Sequence, residues 1–189
     1  KTAALIFRAK CGSITLNNGF GVIAMTIEQA LPVMLDEIME IIEDGRAYLK
    51  SQGIGQWQNG SPNRAMVSAD IEKGNGRIFL VDGKIVGYAS VNFEGDVCYN
   101  NIDGAWLDDE PYAVVHRCAM KSSERGKGCG DMMFKTIAEF VRSQGCGEIR
   151  IDTHRDNRVM QHLLEKNGYV YCGVVQLESG ERIAFQKNL

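Results

Sequence analysis

The sequence predicts a mixed α/β protein, and three observations support that fold class. Its 189 residues are close to the size of one domain, about 150 residues, and 44% of them are apolar, enough to bury a substantial core. Stretches with helical spacing of apolar residues alternate with short β-branched stretches, and no repeat or low-complexity linker divides them. We therefore expect a single domain over residues 25–189, with residues 1–24 as an N-terminal extension of unclear role.

Apolar periodicity and turn residues place the elements in order. Pro32 suits the first turn of a long helix, Ser61-Pro62 is typical of the start of a second, and Asp82-Gly83 predicts a hairpin turn. Asn17-Asn18-Gly19 favours another small hairpin near the N-terminus. The expected elements are a strand at 25–30, helices at 32–53 and from 61, strands at 76–82, 84–93 and 112–120, a helix from 131 to 145, a strand at 148–153, a helix at 156–167, and a final hairpin of 169–177 and 182–187.

Charge and cysteine usage argue against several classes of function. The 21 Lys+Arg and 24 Asp+Glu give a formal net charge of −3, which argues against a broad basic surface for nucleic acid. The six cysteines form no CxxC pair and there are three histidines, so we expect no metal site. No apolar run approaches the length of a membrane span. The expected location is the cytoplasm, with reduced cysteines and neither nucleic acid nor membrane as a partner.

A cluster of glycines, Arg125-Gly126-Lys127-Gly128-Cys129-Gly130, forms the candidate binding loop between a strand and the helix expected from Asp131. Glycines placed there let consecutive backbone N–H groups converge on an anion at the positive end of a helix. The P-loop pattern is absent, because no Gly-Lys-Ser/Thr occurs. The dinucleotide pattern fails at its third glycine, where Asp131 stands. Arg125, Gly128 and Gly130 match a third phosphate-binding pattern, R/Q-x-x-G-x-G.

This loop and a second segment resemble the GCN5-related N-acetyltransferase (GNAT) family. The acetyl-CoA pyrophosphate loop of that family has the form R/Q-x-x-G-x-G, and the run from Asn157 to Tyr169 is similar to its N-x-x-A-x-x-L-Y-x-K-x-G-F segment. Met25-Thr26-Ile27 and the run from His116 to Met120 resemble its first and fourth strands. The resemblance covers residues 25–189 and implies a mixed, largely antiparallel sheet of six to seven strands flanked by about four helices.

The resemblance implies an enzyme that moves the acetyl group of acetyl-CoA to a primary amine of a small molecule or peptide. The amine attacks directly, through a tetrahedral intermediate, and a homodimer is a possible assembly. Two other interpretations stay open. A non-catalytic acyl-CoA-binding or regulatory domain is suggested because Leu164 stands where many relatives have a proton-donating tyrosine. A dinucleotide-dependent oxidoreductase is suggested by Gly126-x-Gly128 and the later Asp152.

The resemblance also assigns cofactor contacts. The expected cofactor-binding residues are Cys118, Ala119, Met120, Arg125, Gly126, Lys127, Gly128, Cys129, Gly130, Asp131 and Asn157. The N–H of Met120 is expected to donate to the oxyanion, and Asn157 is expected either to contact the cofactor or to cap a helix. Asp131 opposes anion binding unless its carboxylate turns away. Leu164 cannot donate a proton and Tyr169 is expected in the core, so no acid is assigned for the leaving thiolate.

His116 is the candidate base, because a histidine has an unperturbed pKa of about 6.5 that suits proton transfer from an amine. Even-spaced strand residues share a face, so His116, Cys118 and Met120 are expected to line one side together. The alternative is an ordinary core or surface histidine. A covalent acyl-cysteine is not favoured, since no Cys/His/Asn spacing supports it.

The acceptor site is the least defined by the sequence. The candidate acceptor-binding residues are Trp57, His116 and His154. The acidic loop around Trp106 is expected to help attract an amine, with plain solvated surface as the alternative. His162 is expected on a helix surface.

Overall fold

A nine-stranded sheet runs through residues 13–17 and 22–189, the part of the chain that the structure, a computed structural model, describes. The strands are β1 (Ser13–Asn17), β2 (Val22–Gln29), β3 (Gly76–Val81), β4 (Lys84–Asn92), β5 (Ile102–Gly104), β6 (Ala113–Met120), β7 (Glu148–Thr153), β8 (Val170–Leu177) and β9 (Gly180–Asn188). The α-helices are α1 (Leu35–Ser51), α2 (Arg64–Glu72), α3 (Cys129–Ser143) and α4 (Arg158–Lys166). The strand order is β1-β2-β3-β4-β6-β7-β9-β8-β5. β6 and β7 are parallel and the other neighbouring strands antiparallel, which confirms the predicted fold class.

The strand count exceeds the predicted six to seven because each edge of the sheet carries one more. β1 pairs antiparallel with β2 where the sequence favoured a small hairpin, although Asn18 and Gly19 lie outside the described residues. β5 pairs with β8 at the other edge, where a Cβ on Gly104 would collide with the backbone oxygen of Cys172. A three-residue strand within an acidic loop has no alternation from which to predict it.

Most predicted elements lie close to their expected positions, and the differences occur at helix starts. Asn63, rather than Ser61-Pro62, caps α2, because its side chain accepts a hydrogen bond from the N–H of Met66. α3 begins at Cys129, earlier than expected. No helix within residues 13–17 and 22–189 is long and apolar enough to cross a membrane.

Apolar layers cover both faces of the sheet. The neighbouring residues Ile78 and Phe79 point into different layers, as alternation along a strand requires. α3 packs on the side of Phe79, and α1 and α2 pack on the side of Ile78. A third cluster forms around Tyr99 and includes Val114, whereas the next residue, Val115, faces α3. The Tyr99 cluster therefore continues the α1 side of the sheet beyond β6.

A bulge in β6 reverses the faces of its side chains. Ser90 of β4 pairs with His116 and Tyr88 pairs with Ala119, so β6 holds an extra residue, and Arg117 adopts a φ of 58°. The ring of His116 lies against Tyr99 on the α1 side, whereas Cys118 packs into the layer of α3. The expectation that His116 shares a face with Cys118 and Met120 is therefore wrong, because strict alternation ends at the bulge.

A buried carboxylate holds this bulge in place. The guanidinium of Arg117 donates to both oxygens of Asp70, on α2, at 2.8 Å each, and the hydroxyl of Tyr88 donates to the same carboxylate at 2.9 Å. Asp70 is buried, and burial followed by the charge of Asp70 raises the pKa of Tyr88. The charge-assisted bonds offset the cost of about 1 kcal/mol or more that a left-handed non-glycine residue carries.

A buried carboxyl on β7, that of Glu148, lies beside the loop before β6. Glu148 is 2% exposed, its Oε1 accepts from Nε of Arg150 at 2.6 Å, and its Oε2 has no donor among the described residues. Burial, followed by a hydrogen bond to Asp108, raises the pKa of Glu148 to about 7, and the same bond lowers the pKa of Asp108. Burial therefore favours the neutral form of the Glu148 carboxyl.

The raised pKa of Glu148 predicts that the folded protein becomes less stable as the pH rises. Its pKa is about 7 in the fold against an ordinary 4.5, so the protonated carboxyl stabilises the fold fully below pH 4.5. This stabilisation is lost as the pH rises through 7. In Glu148→Gln the buried side chain is neutral at every pH. We expect its Tm relative to wild type to rise by about 5 °C between about pH 5 and pH 8. Thermal unfolding at both pH values measures this, and a constant difference in Tm would contradict the raised pKa of Glu148.

Candidate active site

A cleft of about 960 Å³ opens where β6 and β7 diverge. The two strands pair only as far as Val115 and Ile151, and the residues that follow on each strand line the cleft. The carboxyl ends of neighbouring parallel strands are a common place for a ligand site. α1, the loop after α1, α3, α4 and the β8–β9 hairpin complete the walls. The cleft therefore runs from the glycine loop at one end to the Tyr99 cluster at the other.

The glycine loop leaves the first turn of α3 open for an anion. Gly126 and Gly128 have φ angles of 76° and 84°, and a Cβ on either would meet nothing within 4 Å. Gly128 is the N-cap of α3, and no side chain caps the helix. The free N–H groups of a first turn together with glycine-flanked space form a phosphate site. These residues fit the pyrophosphate of acetyl-CoA.

Asp131, whose negative charge does not suit an anion site, lines the cleft, but partners on α3 and after α4 hold its carboxylate. Its carboxylate is 9% exposed and accepts from Nζ of Lys135 at 2.8 Å and from Nδ2 of Asn167 at 3.0 Å. Nζ of Lys166 lies 3.5 Å away. Burial raises the pKa of Asp131, but the hydrogen bonds and charges of these partners lower it by more, so the pKa lies below its ordinary value. The carboxylate ties α3 to the end of α4, and its charge is offset there.

The two predicted cations of the loop do not point into the phosphate space. The guanidinium of Arg125 stacks 4.3 Å from the ring centre of Tyr48 and donates to the backbone oxygen of Asp44, although the residue lines the cleft. Lys127 is exposed, lies 3.5 Å from Glu124, and is not among the lining residues. Both expectations assumed that cations next to the glycines face the ligand. Instead, the side chain of Arg125 packs on α1, and that of Lys127 lies in solvent beside Glu124.

Two further expected cofactor residues have structural roles. The side chain of Asn157 caps α4 by accepting from the N–H of Met160 at 3.2 Å, and its Nδ2 donates to Gln56 at 3.3 Å. Asn157 therefore takes the capping role while lining the cleft. Cys129 is buried against the core of α3 and does not line the cleft, because the first helical turn directs its side chain inward.

β6 forms the wall between the two ends of the cleft, lined by Cys118, Ala119 and Met120. The N–H of Lys121 donates to the oxygen of Val86 on β4 at 2.8 Å. Backbone N–H groups alternate along a strand, so the N–H of Met120 points the opposite way, toward β7 and the cleft. Burial, followed by the charge of Asp152, raises the pKa of Cys118 to about 12. A thiol that stays protonated is a poor nucleophile, which argues against a covalent acyl-cysteine.

His116 lies between two carboxylates at the far end of the cleft. Its Nε2 is 2.9 Å from Oδ2 of Asp96, and its Nδ1 is 3.5 Å from Oδ1 of Asp152. The hydrogen bond with His116, followed by the backbone N–H of Cys98, lowers the pKa of Asp96 to about 2. Asp96 is therefore ionised and fixes one ring nitrogen of His116, while the other faces Asp152.

A second set of contacts holds Asp152 in this position. The fully buried hydroxyl of Tyr99 donates to Oδ1 of Asp152 at 2.7 Å, and Nε of Arg182 lies 4.0 Å from Oδ2. Glu178, at the tip of the β8–β9 hairpin, also lines the cleft. Sequence reasoning did not assign Asp96, Tyr99 or Glu178 to a site, because none has a motif around it. Asp96 and Tyr99 lie in the connection between β4 and β5, and Glu178 lies far away in the sequence, in the β8–β9 hairpin.

The other predicted acceptor residues divide between the cleft and its surroundings. Trp57 lines the cleft, and its ring packs so closely on Gly45 that a Cβ there would lie 2.9 Å from it. His154 does not line the cleft, because its ring turns to Asp156 and lines a shallow depression outside it. Trp106 also lies outside, since its Nε1 donates to the oxygen of Tyr99. The acidic loop around Trp106 is therefore not the acidic wall of the cleft.

The structure places three further residues that the sequence analysis discussed, two in the core and one on the surface. Leu164 is fully buried in the core, so it contributes no proton. Tyr169 is buried with its ring edge-on to Phe134, which confirms the aromatic packing role. His162 lies on the exposed surface of α4 as predicted, and this surface lines the cleft. Within residues 13–17 and 22–189, no group of three or more His, Cys, Asp or Glu side chains forms a metal site.

The chain matches a sequence model of the acetyltransferase (GNAT) family over residues 43–169. A curated relative, streptothricin acetyltransferase from Streptomyces lavendulae, is 24% identical over 109 residues, which cover 56% of this chain and 51% of the relative. The chain thus spans about half the length of that relative.

Solved structures share the architecture. A GNAT-family acetyltransferase from Streptococcus agalactiae 2603 has a TM-score of 0.81 and 37% identity, covering 87% of this chain and 95% of that one. Aminoglycoside acetyltransferase AAC(6')-Ib in complex with coenzyme A and kanamycin has a TM-score of 0.64 and 18% identity, covering 87% of this chain and 94% of that one. The likeness to AAC(6')-Ib shows that the two proteins share a fold.

Proposed function

The chain belongs to the GNAT family of acetyltransferases, and from this premise we propose that it transfers acetyl groups from acetyl-CoA to cationic primary amines. Acetyl-CoA, the acetyl donor of the family, supplies the activated acetyl group when bound. One observation carries the proposal: a single cleft joins an uncapped helix N-terminus to a histidine between two carboxylates. An anionic donor suits the first end, and an amine suits the second.

The tautomer of His116 follows from its partners. Asp96 is ionised and can only accept, so neutral His116 donates its Nε2–H to Asp96. The lone pair of Nδ1 is then available on the side of Asp152. This arrangement suits a base that takes a proton from an ammonium group held by Asp152.

The acceptor ammonium must lose one proton before it attacks and a second one afterwards. Nδ1 of His116 would take the first proton. The second would pass to the departing thiol of coenzyme A, whose sulfur would keep the electron pair of the broken carbon–sulfur bond. The N–H of Met120 donates to the acetyl oxygen as it gains negative charge, a type of contact worth about 3 kcal/mol.

The acidic end of the cleft favours an acceptor with more than one amino group. Asp152 and Glu178 line it beside Asp96. Arg182 also lines it, but this residue is 6% exposed and its Nε lies 4.0 Å from Oδ2 of Asp152. One ammonium near Asp152 leaves Glu178 for a second. One similar protein is named for acetylation of streptothricin, and another was solved with kanamycin bound. Both names support a polyamine-like small molecule as the acceptor.

The alternatives predict different results. A dinucleotide enzyme needs its acidic residue near the glycine loop, but Asp152 lies with Tyr99 and His116 at the other end. A non-catalytic acyl-CoA-binding domain would bind the donor without transfer.

Thiol release from acetyl-CoA tests the proposal. The panel would contain monoamines, linear polyamines, aminoglycosides, streptothricin and peptides with a free amino terminus. We expect release above the amine-free rate with the polyamino compounds, at higher kcat/KM than with monoamines. Binding of acetyl-CoA without release for any amine would favour the non-catalytic alternative.

A further inference from the structure

α4 places three cationic side chains along one face of the cleft. Arg158, His162 and Lys166 are spaced four residues apart, which puts them in one row on a helix. All three are exposed, and all three line the cleft. We call them the α4 row. Because Arg125 and Lys127 do not face the phosphate space, this row supplies cationic groups that the loop itself does not direct there.

The α4 row lies beside the open end of α3. A Cβ on Gly130, in the first turn of α3, would lie 3.2 Å from the side chain of Leu163, the residue after His162. Lys166 approaches Asp131 at 3.5 Å, but Asp131 already has a closer partner in Lys135 at 2.8 Å. The side chain of Lys166 is 53% exposed, so it has room to turn toward a ligand.

We propose that the α4 row binds the 3′-phosphate of coenzyme A, an inference that rests on the proposed function. The N–H groups of the glycine loop and of α3 account for the pyrophosphate, and they leave the remaining phosphate monoester, which is dianionic near neutral pH, without a partner from the loop. Arg and Lys side chains are the usual partners of such a group. The α4 row is the adjacent source of them, and it makes the protein select coenzyme A over its 3′-dephospho form.

Calorimetric titration of the full chain with coenzyme A and with 3′-dephospho-coenzyme A tests this. We expect wild type to bind coenzyme A about tenfold more tightly than the dephospho form. In Lys166→Gln and in Arg158→Gln this ratio should fall toward one, because coenzyme A loses affinity while the dephospho form does not.

Lys84→Gln is the matched control. It removes the same charge from an exposed residue at the start of β4 that does not line the cleft, so the ratio should stay at the wild-type value. An equal affinity of wild type for both ligands, or a ratio that Lys166→Gln and Arg158→Gln leave unchanged, would overturn the role of the α4 row while the proposed function stands. Failure of both ligands to bind wild type would instead overturn the proposed function, and the inference with it.

Discussion

Replacing Gly128 by glutamate should weaken the affinity for coenzyme A by about 100-fold or more. Gly128 has a φ of 84°, where a residue with a Cβ is strained, and it caps the N-terminus of α3. A side chain there would enter the open space beside the first turn. Its carboxylate would compete with the pyrophosphate for the same N–H groups and repel it.

Gly145 provides the matched control at the other end of α3. Its φ is 79° and a Cβ there also meets nothing within 4 Å, but it does not line the cleft. Gly145→Glu should lower Tm about as much as Gly128→Glu and leave the affinity for coenzyme A at the wild-type value. Titration of both variants measures this. Unchanged affinity in Gly128→Glu would reject the glycine loop as the pyrophosphate site.

The loop was predictable from sequence because its chemistry is local. Glycines between a strand and a helix already define an open helix N-terminus, so Gly126 and Gly128 could be assigned without knowing the rest of the fold. The charges beside them could not be assigned in this way. Whether Arg125 faces a ligand depends on Tyr48 of α1, far away in the sequence, which stacks under its guanidinium.

The acidic end of the cleft was not predictable, because it is assembled across the fold. Tyr99 and Asp152 are separated by 53 positions, and their hydrogen bond forms only because the Tyr99 cluster packs beside β7. The bulge at Arg117 adds a second difficulty. A left-handed arginine has no local sequence signal, and it is stabilised by Asp70, 47 positions away. Acidic residues near Trp106 were more conspicuous in the sequence but lie outside the cleft.

Replacing His116 by alanine should reduce kcat/KM for acetyl transfer by about 100-fold to 1,000-fold, the range typical of a lost general base. The affinity of the variant for coenzyme A should stay near the wild-type value, since His116 lies at the opposite end of the cleft from Gly128.

Two further variants separate a base from a merely buried ring. In Asp96→Asn the ring keeps a hydrogen-bonding neighbour but loses the ionised carboxylate that fixes its tautomer, so we expect an intermediate loss of about tenfold. His154→Ala removes a histidine whose ring lies outside the cleft, beside Asp156, and should leave kcat/KM unchanged. Near wild-type rates in His116→Ala would mean that another group takes the proton. With Cys118 held in its thiol form by burial, Asp152 would then be the nearest remaining acceptor, and Asp152→Asn would carry the loss instead.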